Sequence, residues 1–176
     1  MATIDEFKAN LIGGGARPNH FRVTFNTPGV IATGLDVRKS SFLIKTAQLP
    51  GQALGEITVP FRGRNLYIAG DREFETWDTT VINDTDFMVR NGIERWLNAI
   101  NDTVTNTGLP NVADYTADLI VEQLDRDDTI LKSYTFRNAF PLTIGTIDLS
   151  SAEAGEIETF EVTWRYQHYE PSGVSF

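Results

Sequence analysis

The sequence predicts a mainly β protein, an antiparallel β-barrel or sandwich with one flanking α-helix and a long extended hairpin. About seven or eight segments alternate apolar and polar residues with a period of two, which is typical of half-buried strands. One segment repeats its apolar residues with helical spacing, and no strand–helix–strand rhythm recurs. The 176 residues suit one domain with a sizeable core, so residues 1–176 are expected to form a single domain.

Composition and charge exclude several classes of function. Hydrophobic residues make up 41% of the chain and no run is long enough to span a membrane, so no membrane partner is expected. The formal net charge of −9 is the opposite of the basic footprint of a protein that grips nucleic acid. Cysteine is absent, which removes disulfides and thiolate metal sites and is compatible with assembly in the cytoplasm.

The chain is expected to begin with an arm that leads into two strands. Residues 1–15 should form a flexible N-terminal arm, with a helical turn around Ile4–Leu11 that three glycines end. The alternation in Phe21–Phe25 predicts the first strong strand. Ser41–Gln48 is the predicted second strand.

The segment over residues 49–70 predicts a long hairpin that turns tightly at Arg62-Gly63-Arg64. Ile57, Val59 and Phe61 alternate with polar residues or proline and give the first strand an apolar face. Pro60 cannot donate a hydrogen bond to a ladder, so this strand should be an edge strand or contain a bulge. A long apolar edge invites pairing with another chain, and proteins usually protect such edges. The hairpin is therefore a candidate assembly element.

The helix is predicted over residues 84–100, after a strand at Phe74–Asn83. The polar cluster Asn83-Asp84-Thr85 is suited to capping a helix N-terminus. Apolar residues then recur close to the 3.6-residue period, as in an amphipathic helix. These residues are Phe87, Val89, Ile93, Trp96, Leu97 and Ile100.

The last third of the sequence predicts further strands. Ala117–Leu124 and Ile130–Phe140 should form a hairpin around the turn Asp125–Asp128. Another strand is predicted from Pro141 through Leu149. Glu158–Tyr169 gives the cleanest alternation in the chain.

Residues for catalysis or metal binding do not form a recognisable pattern. His20 and His168 lie at outward-facing positions without a nucleophile motif nearby. Asp125–Asp128 begins like a calcium loop but lacks the glycine and the distal glutamate, so a solvated turn is expected. The three tryptophans fall at core positions and indicate packing rather than sugar stacking. The sequence therefore predicts a non-enzymatic protein with no cofactor and no metal.

Charged residues instead gather beside glycines and prolines at the junctions between elements. The planar fork of arginine suits ion pairs at interfaces, whereas exposed pairs in a monomer contribute only about 0–1 kcal/mol. Together with the apolar face of the hairpin, these residues predict a subunit interface. The candidate interface residues are Arg17, Ile57, Val59, Phe61, Arg62, Arg64, Leu66, Ile68, Asp71 and Arg72.

Five short blocks along the chain carry a resemblance to a known family. They are Ala16-Arg17-Pro18-Asn19 with Phe21 and Val23, Leu49-Pro50, Ala69-Gly70-Asp71-Arg72 with Phe74 and Trp77, Asn83-Asp84, and Phe160-Glu161-Val162-Thr163. In this order the blocks resemble the tail tube protein of contractile-tailed, T-even-like bacteriophages. The matches span nearly the whole chain, so the set has more weight than any one block.

The resemblance implies a structural virion protein that forms hexameric rings stacked into the inner tail tube, the conduit for DNA ejection. The hairpin would join neighbouring subunits into the inner wall around a largely acidic lumen. Implied partners are other copies of the chain, the tail sheath protein, and the baseplate and tail terminator proteins. Tape measure protein and genomic DNA would pass through the lumen without tight binding. The implied localisation is the phage tail, assembled in the host cytoplasm.

Two alternatives remain open from the sequence. The first is the tube protein of a phage-derived contractile injection system, which carries protein cargo rather than DNA. The second belongs to a different class and is a soluble β-sandwich carbohydrate-binding module that uses exposed aromatic residues.

Overall fold

The computed structural model describes residues 3–152 and 155–174. Within these ranges the chain forms nine strands, four α-helices and one 3-10 helix at Ile12–Gly14. The strands are β1 (Phe21–Phe25), β2 (Ile44–Ala47), β3 (Ala53–Phe61), β4 (Arg64–Glu73), β5 (Trp77–Ile82), β6 (Ala117–Leu124), β7 (Ile130–Ile144), β8 (Thr159–Arg165) and β9 (His168–Pro171). The helices are α1 (Ile4–Asn10), α2 (Val37–Phe42), α3 (Met88–Ile100) and α4 (Val112–Tyr115).

Seven of the strands form one antiparallel sheet in the order β1-β6-β7-β8-β5-β2, with β9 beside β7. The first part of β7 pairs with β6 and β9, and its last part pairs with β8. Asn138 lies between the two parts and has a left-handed backbone, with φ of 51°. β7 thus links two parts of the sheet. The antiparallel, mainly β fold class predicted from the sequence is confirmed.

Aromatic side chains pack these two parts against each other. The rings of Phe25 in β1 and Trp164 in β8 lie 4.8 Å apart, and Trp77 in β5 stacks on Phe136 in β7 at 4.3 Å. Trp96 of α3 meets Trp164 at 5.7 Å, so the helix covers the same core. All three tryptophans are buried, as their sequence positions predict.

α3 begins later than the sequence predicts, at Met88 rather than at residue 84. The side chain of Asp84 accepts a hydrogen bond from the Lys39 ammonium group at 2.7 Å. Asp86 lies next to it and accepts the backbone N–H of Met88 at 3.0 Å. Phe87 has a left-handed backbone with φ of 52°, so the helix cannot extend through it. The polar cluster therefore forms a loop that leads into the helix.

The strand predicted over Ser41–Gln48 is wrong in its first three residues. Residues 37–42 form α2, and the strand β2 begins only at Ile44. The Asp36 carboxylate accepts the backbone N–H groups of Arg38 and Lys39, which is an N-cap that starts the helix.

The C-terminal strands also differ from the prediction. No new strand starts at Pro141, because β7 continues through this residue to Ile144, and the described residues that follow up to Leu149 form no strand. Pro141 is buried and lies opposite Trp164 of β8. The predicted single strand over Glu158–Tyr169 is divided into β8 and β9 by a short break after Arg165.

Candidate assembly surface

The hairpin formed by β3 and β4, here called the ribbon, stands apart from the main sheet. In the described part of the chain the two strands pair only with each other. Every residue of β3 is exposed, and only Gly70 of β4 is half-buried. An isolated two-stranded hairpin is marginally stable in water. The ribbon therefore has the features of an element that another chain completes.

The register of the ribbon places four of its large aliphatic residues on one face. Ile57 lies opposite Ile68, and Val59 lies opposite Leu66. Alternation along the strand puts Phe61 on the same face. The exposed fractions of Ile57, Val59 and Phe61 are 54%, 39% and 65%, so these side chains are not part of the subunit core. An exposed apolar patch of this kind marks an interaction site.

The opposite face of the ribbon is largely polar and carries little charge. Thr58 pairs with Tyr67, Pro60 pairs with Asn65, and Glu56 lies on the same face. Over residues 53–73 the sequence contains three acidic and three basic residues, which balance. The net charge of −9 therefore comes entirely from the rest of the chain.

Two of the predicted arginines lie at the tip of the ribbon. Arg62 and Gly63 both have positive φ, 46° and 82°, as a two-residue hairpin turn requires. The Arg62 guanidinium lies over the Phe61 ring at 5.3 Å from its centre, and Arg64 lies opposite Phe61. The tip therefore presents two cations around one exposed aromatic ring.

Asp71 and Arg72 lie at the base of the ribbon, next to a β-bulge at Gly55. A Cβ atom on Gly70 would lie 3.0 Å from the carbonyl oxygen of Gly55, and one on Gly55 would lie 3.3 Å from the carbonyl oxygen of Asp71. The strands approach closely here because both positions are glycine.

Arg17 belongs to a different region, the segment before β1. Its carbonyl oxygen accepts a hydrogen bond from Gln123 Nε2 of β6 at 2.6 Å. None of the five predicted charged interface residues forms an ion pair with any described residue. Their charged groups are therefore available to other chains.

A three-strand ion-pair network was not predicted from the sequence. The Arg137 guanidinium in β7 contacts Asp118 of β6 at 2.5 Å and Glu170 of β9 at 2.7 Å. The hydrogen bond from Arg137 lowers the pKa of the Glu170 carboxyl group below its ordinary value. The network joins three strands at the left-handed Asn138. No sequence motif indicates it, because it depends on strand pairing.

A second unpredicted cluster joins α2 to the loop before α3. The Lys39 ammonium contacts Asp84 at 2.7 Å and Asp86 at 2.5 Å. The hydrogen bonds that the ammonium group donates to these two carboxylates raise the pKa of Lys39 to about 12. The side chains are partly exposed, so the cluster positions the loop more than it stabilises the fold.

The two histidines lie at β-strands, and the aspartates of the turn Asp125–Asp128 form local hydrogen bonds. His168 Nε2 lies 3.7 Å from Glu170, and His20 is half-buried before β1. Asp127 accepts the backbone N–H of Thr129 at 3.1 Å, and its hydrogen bonds with Thr129 lower the pKa of Asp127. In residues 3–152 and 155–174, no three acidic or histidine residues are grouped to hold a metal ion. No described helix has the length and apolar character to cross a membrane.

Comparisons with known proteins agree with this architecture. A family model described as phage tail tube protein matches residues 16–172. The tail tube protein of Serratia phage KSP90 is 33% identical over 168 residues, covering 94% of this chain and 95% of the relative. Tail tube protein gp19 of Enterobacteria phage T4 is 32% identical over 173 residues, covering 97% of this chain and all of the relative.

Two solved structures share the fold of this chain. A chain of the anti-feeding prophage baseplate aligns with a TM-score of 0.65 at 16% identity, covering 92% of this chain and 98% of the other. The second structure is the PVC sheath-tube complex of an extracellular contractile injection system in its extended state. One of its chains aligns with a TM-score of 0.64 at 11% identity, covering 99% of this chain and 100% of the other.

The described chain is an antiparallel β body with a ribbon whose apolar face is exposed, which is the architecture of a structural subunit. The chain belongs to the phage tail tube protein family. Its function is that of a structural tail tube component of contractile phages, and the protein is part of the virion tail.

Proposed function

We propose that this chain polymerises as hexameric rings that stack into the inner tail tube, the conduit for DNA ejection. The main support for this proposal is the ribbon, whose apolar face is exposed along its whole length in the subunit. In this proposal the ribbon packs on a neighbouring copy, and the neighbouring ribbons together form the inner wall.

The apolar face of the ribbon offers five exposed large side chains to such a contact. A large aliphatic or aromatic side chain contributes about 1.5–3 kcal/mol when it becomes fully buried. Stable interfaces usually bury more than about 1,000 Å² in total. Ring subunits meet through two different surfaces, and contacts from ring to ring that do not close produce a fibre. A single chain with one donor ribbon can therefore build a tube.

The charged candidates would orient this contact. Arg62 and Arg64 at the tip and Asp71 and Arg72 at the base bracket the apolar face at both ends. Charges at the ends of an interface select one register over others more than they raise affinity. Arg17 is assigned to a second contact, since it lies in the segment before β1.

If the apolar face contacts the neighbouring subunit, the polar face of the ribbon lines the channel. Glu56, Thr58, Asn65 and Tyr67 on this face include no basic residue. Phosphate contacts by lysine and arginine supply most of the affinity of proteins for DNA. A wall without such contacts lets DNA and a tape measure protein pass without being held.

The remaining partners follow from the same role. The proposed tube is surrounded by tail sheath protein, begins on a baseplate and ends at a tail terminator protein. The fold is shared with chains from a baseplate and from a sheath-tube complex, which supports these contacts. We assign no catalytic role to the chain and place its assembly in the host cytoplasm.

A tube for protein cargo is the second candidate function. It is favoured by the fold shared with the sheath-tube complex of an extracellular contractile injection system. The identity to phage tail tube proteins, 33% and 32% against 16% and 11%, favours the DNA-carrying tube. Neighbouring genes for a capsid and a terminase would support the phage tail, and their absence would support the injection system.

Negative-stain electron microscopy of the purified protein tests the assembly. Hexameric rings or tubes of even diameter are expected when baseplates are added as nuclei. Only monomers at high protein concentration with baseplates present would contradict the proposal.

Cysteine labelling tests which face of the ribbon lines the channel, because the chain contains no cysteine of its own. Thr58→Cys should react with a small maleimide both in subunits and in tubes. Ile57→Cys should react in subunits and become protected in tubes. Equal labelling of the two variants in tubes would contradict the assignment.

A further inference from the structure

The ribbon joins the body through two short root segments, residues 48–52 and 74–76. Neither segment is a helix or a strand. In the described chain neither β3 nor β4 pairs with the main sheet. The direction in which the ribbon leaves the body is therefore set at these segments.

The incoming segment is attached to the core at two main-chain carbonyl groups. The indole N–H of Trp77 donates to the carbonyl oxygen of Gln48 at 2.7 Å. The hydroxyl group of Tyr169 donates to the carbonyl oxygen of Gly51 at 2.9 Å. Both donors are buried, and both rings are held by Phe136, at 4.3 Å and 6.3 Å between ring centres.

Two attachment points fix an orientation that one point leaves free. Gln48 and Gly51 are three residues apart, so their carbonyl groups lie at most about 10 Å from each other. A segment held at one carbonyl can pivot about it, whereas a segment held at two must break a hydrogen bond to turn. Trp77 comes from β5 and Tyr169 from β9, which lie in different parts of the sheet.

The outgoing segment is attached through an aromatic ring. Phe74 lies edge-on to Tyr169 at 5.5 Å and to Tyr166 at 6.1 Å between ring centres. Tyr169 therefore contacts both root segments. A cleft of about 190 Å³ lies between them, lined by Leu49 and Glu75 among others. The two hydrogen bonds to the incoming segment and the packing of Phe74 in the outgoing segment therefore hold the ribbon at its angle together.

On the basis of the proposed tube function, we propose that Tyr169 and Trp77 are positioning residues for assembly. Their hydrogen bonds hold the ribbon at one angle in the free subunit, so that it meets the neighbouring copy already oriented. Ordering a mobile element at the moment of association lowers affinity and slows productive encounter. Tyr169 gives the sharper test, because its hydroxyl group can be removed while the ring stays in place.

The angle can be measured in the free subunit by pulsed electron spin resonance. Spin labels are placed at Asn65→Cys near the ribbon tip and Glu94→Cys on α3, both exposed. The parent chain should give a narrow distance distribution, and Tyr169→Phe should broaden it. Tyr134→Phe is the matched control, since the Tyr134 ring lies in the same aromatic cluster and its hydroxyl group bonds to no described residue.

The consequence for assembly is measured as tube elongation from added baseplates at equal concentrations of folded subunit. Loss of one positioning hydrogen bond should slow elongation by about fivefold to tenfold. Tyr134→Phe should elongate at the parent rate. Trp77→Phe should show the same defect in the fraction that remains folded by circular dichroism.

Any of three results would overturn the proposal. The first is an unchanged distance distribution in Tyr169→Phe, and the second is an unchanged elongation rate despite a broadened distribution. A third contradicting result is an elongation rate of Tyr169→Phe that falls only in proportion to its melting temperature, since a general loss of stability would then explain it. The distance measurement uses the free subunit, so its failure is distinguishable from a failure of the tube function.

Discussion

The body and the ribbon use apolar side chains in opposite ways. In the body, Phe136 and Trp164 have no exposed surface, whereas in the ribbon Ile57 and Phe61 expose more than half of their surface. Both regions show the same strand alternation in sequence. Alternation in the sequence therefore locates an apolar face but does not show what covers it. In the body, the two parts of the sheet cover each other's apolar faces. In our proposal, another subunit covers the apolar face of the ribbon.

The largest expected effect is in the body, where Trp164→Ala should destabilise the subunit. Trp164 packs against Phe25 and Trp96, and its indole N–H donates to the Thr79 hydroxyl group at 3.0 Å. Truncation of a buried tryptophan typically costs about 3–5 kcal/mol. Chemical denaturation measures the change. Leu66→Ala in the ribbon is the matched control and should change the free energy of unfolding by less than about 0.5 kcal/mol.

The second largest effect on stability is expected at Gly108, where two backbone segments of the body approach closely. A Cβ atom at Gly108 would lie 1.9 Å from the carbonyl oxygen of Ile100. Gly108→Ala should therefore destabilise by about 1–3 kcal/mol, as overpacking usually does. Gly29→Ala is the control, because a Cβ at Gly29 meets nothing within 4 Å. Equal melting temperatures for the two variants would contradict the described approach.

The smallest effect concerns the ion pairs between β7 and its neighbours. The pKa of Glu170 is lowered by Arg137, so this pair stabilises the fold above the ordinary carboxyl pKa of 4.5. The stabilisation is lost as the pH falls through the lowered pKa. Arg137→Gln should therefore lower the melting temperature slightly at pH 7, and the difference from the parent chain should shrink toward pH 3. A difference that grows in acid would contradict the assigned direction.

The sequence predicts the features that depend on residues close together in the chain. Strand alternation gives the antiparallel fold class, the buried tryptophans and the apolar face of the ribbon. The glycine between Arg62 and Arg64 predicts the tight turn at the tip.

The helix α2 is a local feature that the strand prediction missed. It includes Ser41 and Phe42, the first two residues of the predicted strand, and Asp36 caps its N-terminus.

Features that depend on distant contacts could not be predicted. Pro141 remains inside β7 opposite Trp164 of β8, at a point where the pairing of the two strands shifts its register. The hydrogen bond from Tyr169 to Gly51 joins residues 118 positions apart, and no short motif indicates it.

The central claim is that the ribbon serves assembly rather than the core of its own subunit. Ile57→Asp combined with Phe61→Asp, studied by circular dichroism and sedimentation with baseplates added, tests it most directly. We expect a subunit that melts within a few degrees of the parent and forms no tubes, since charges on the apolar face cannot be buried without large cost. Thr58→Asp on the polar face should still assemble. A double variant that unfolds as a monomer would place the ribbon in the core, and one that forms normal tubes would show that the ribbon is not needed for assembly.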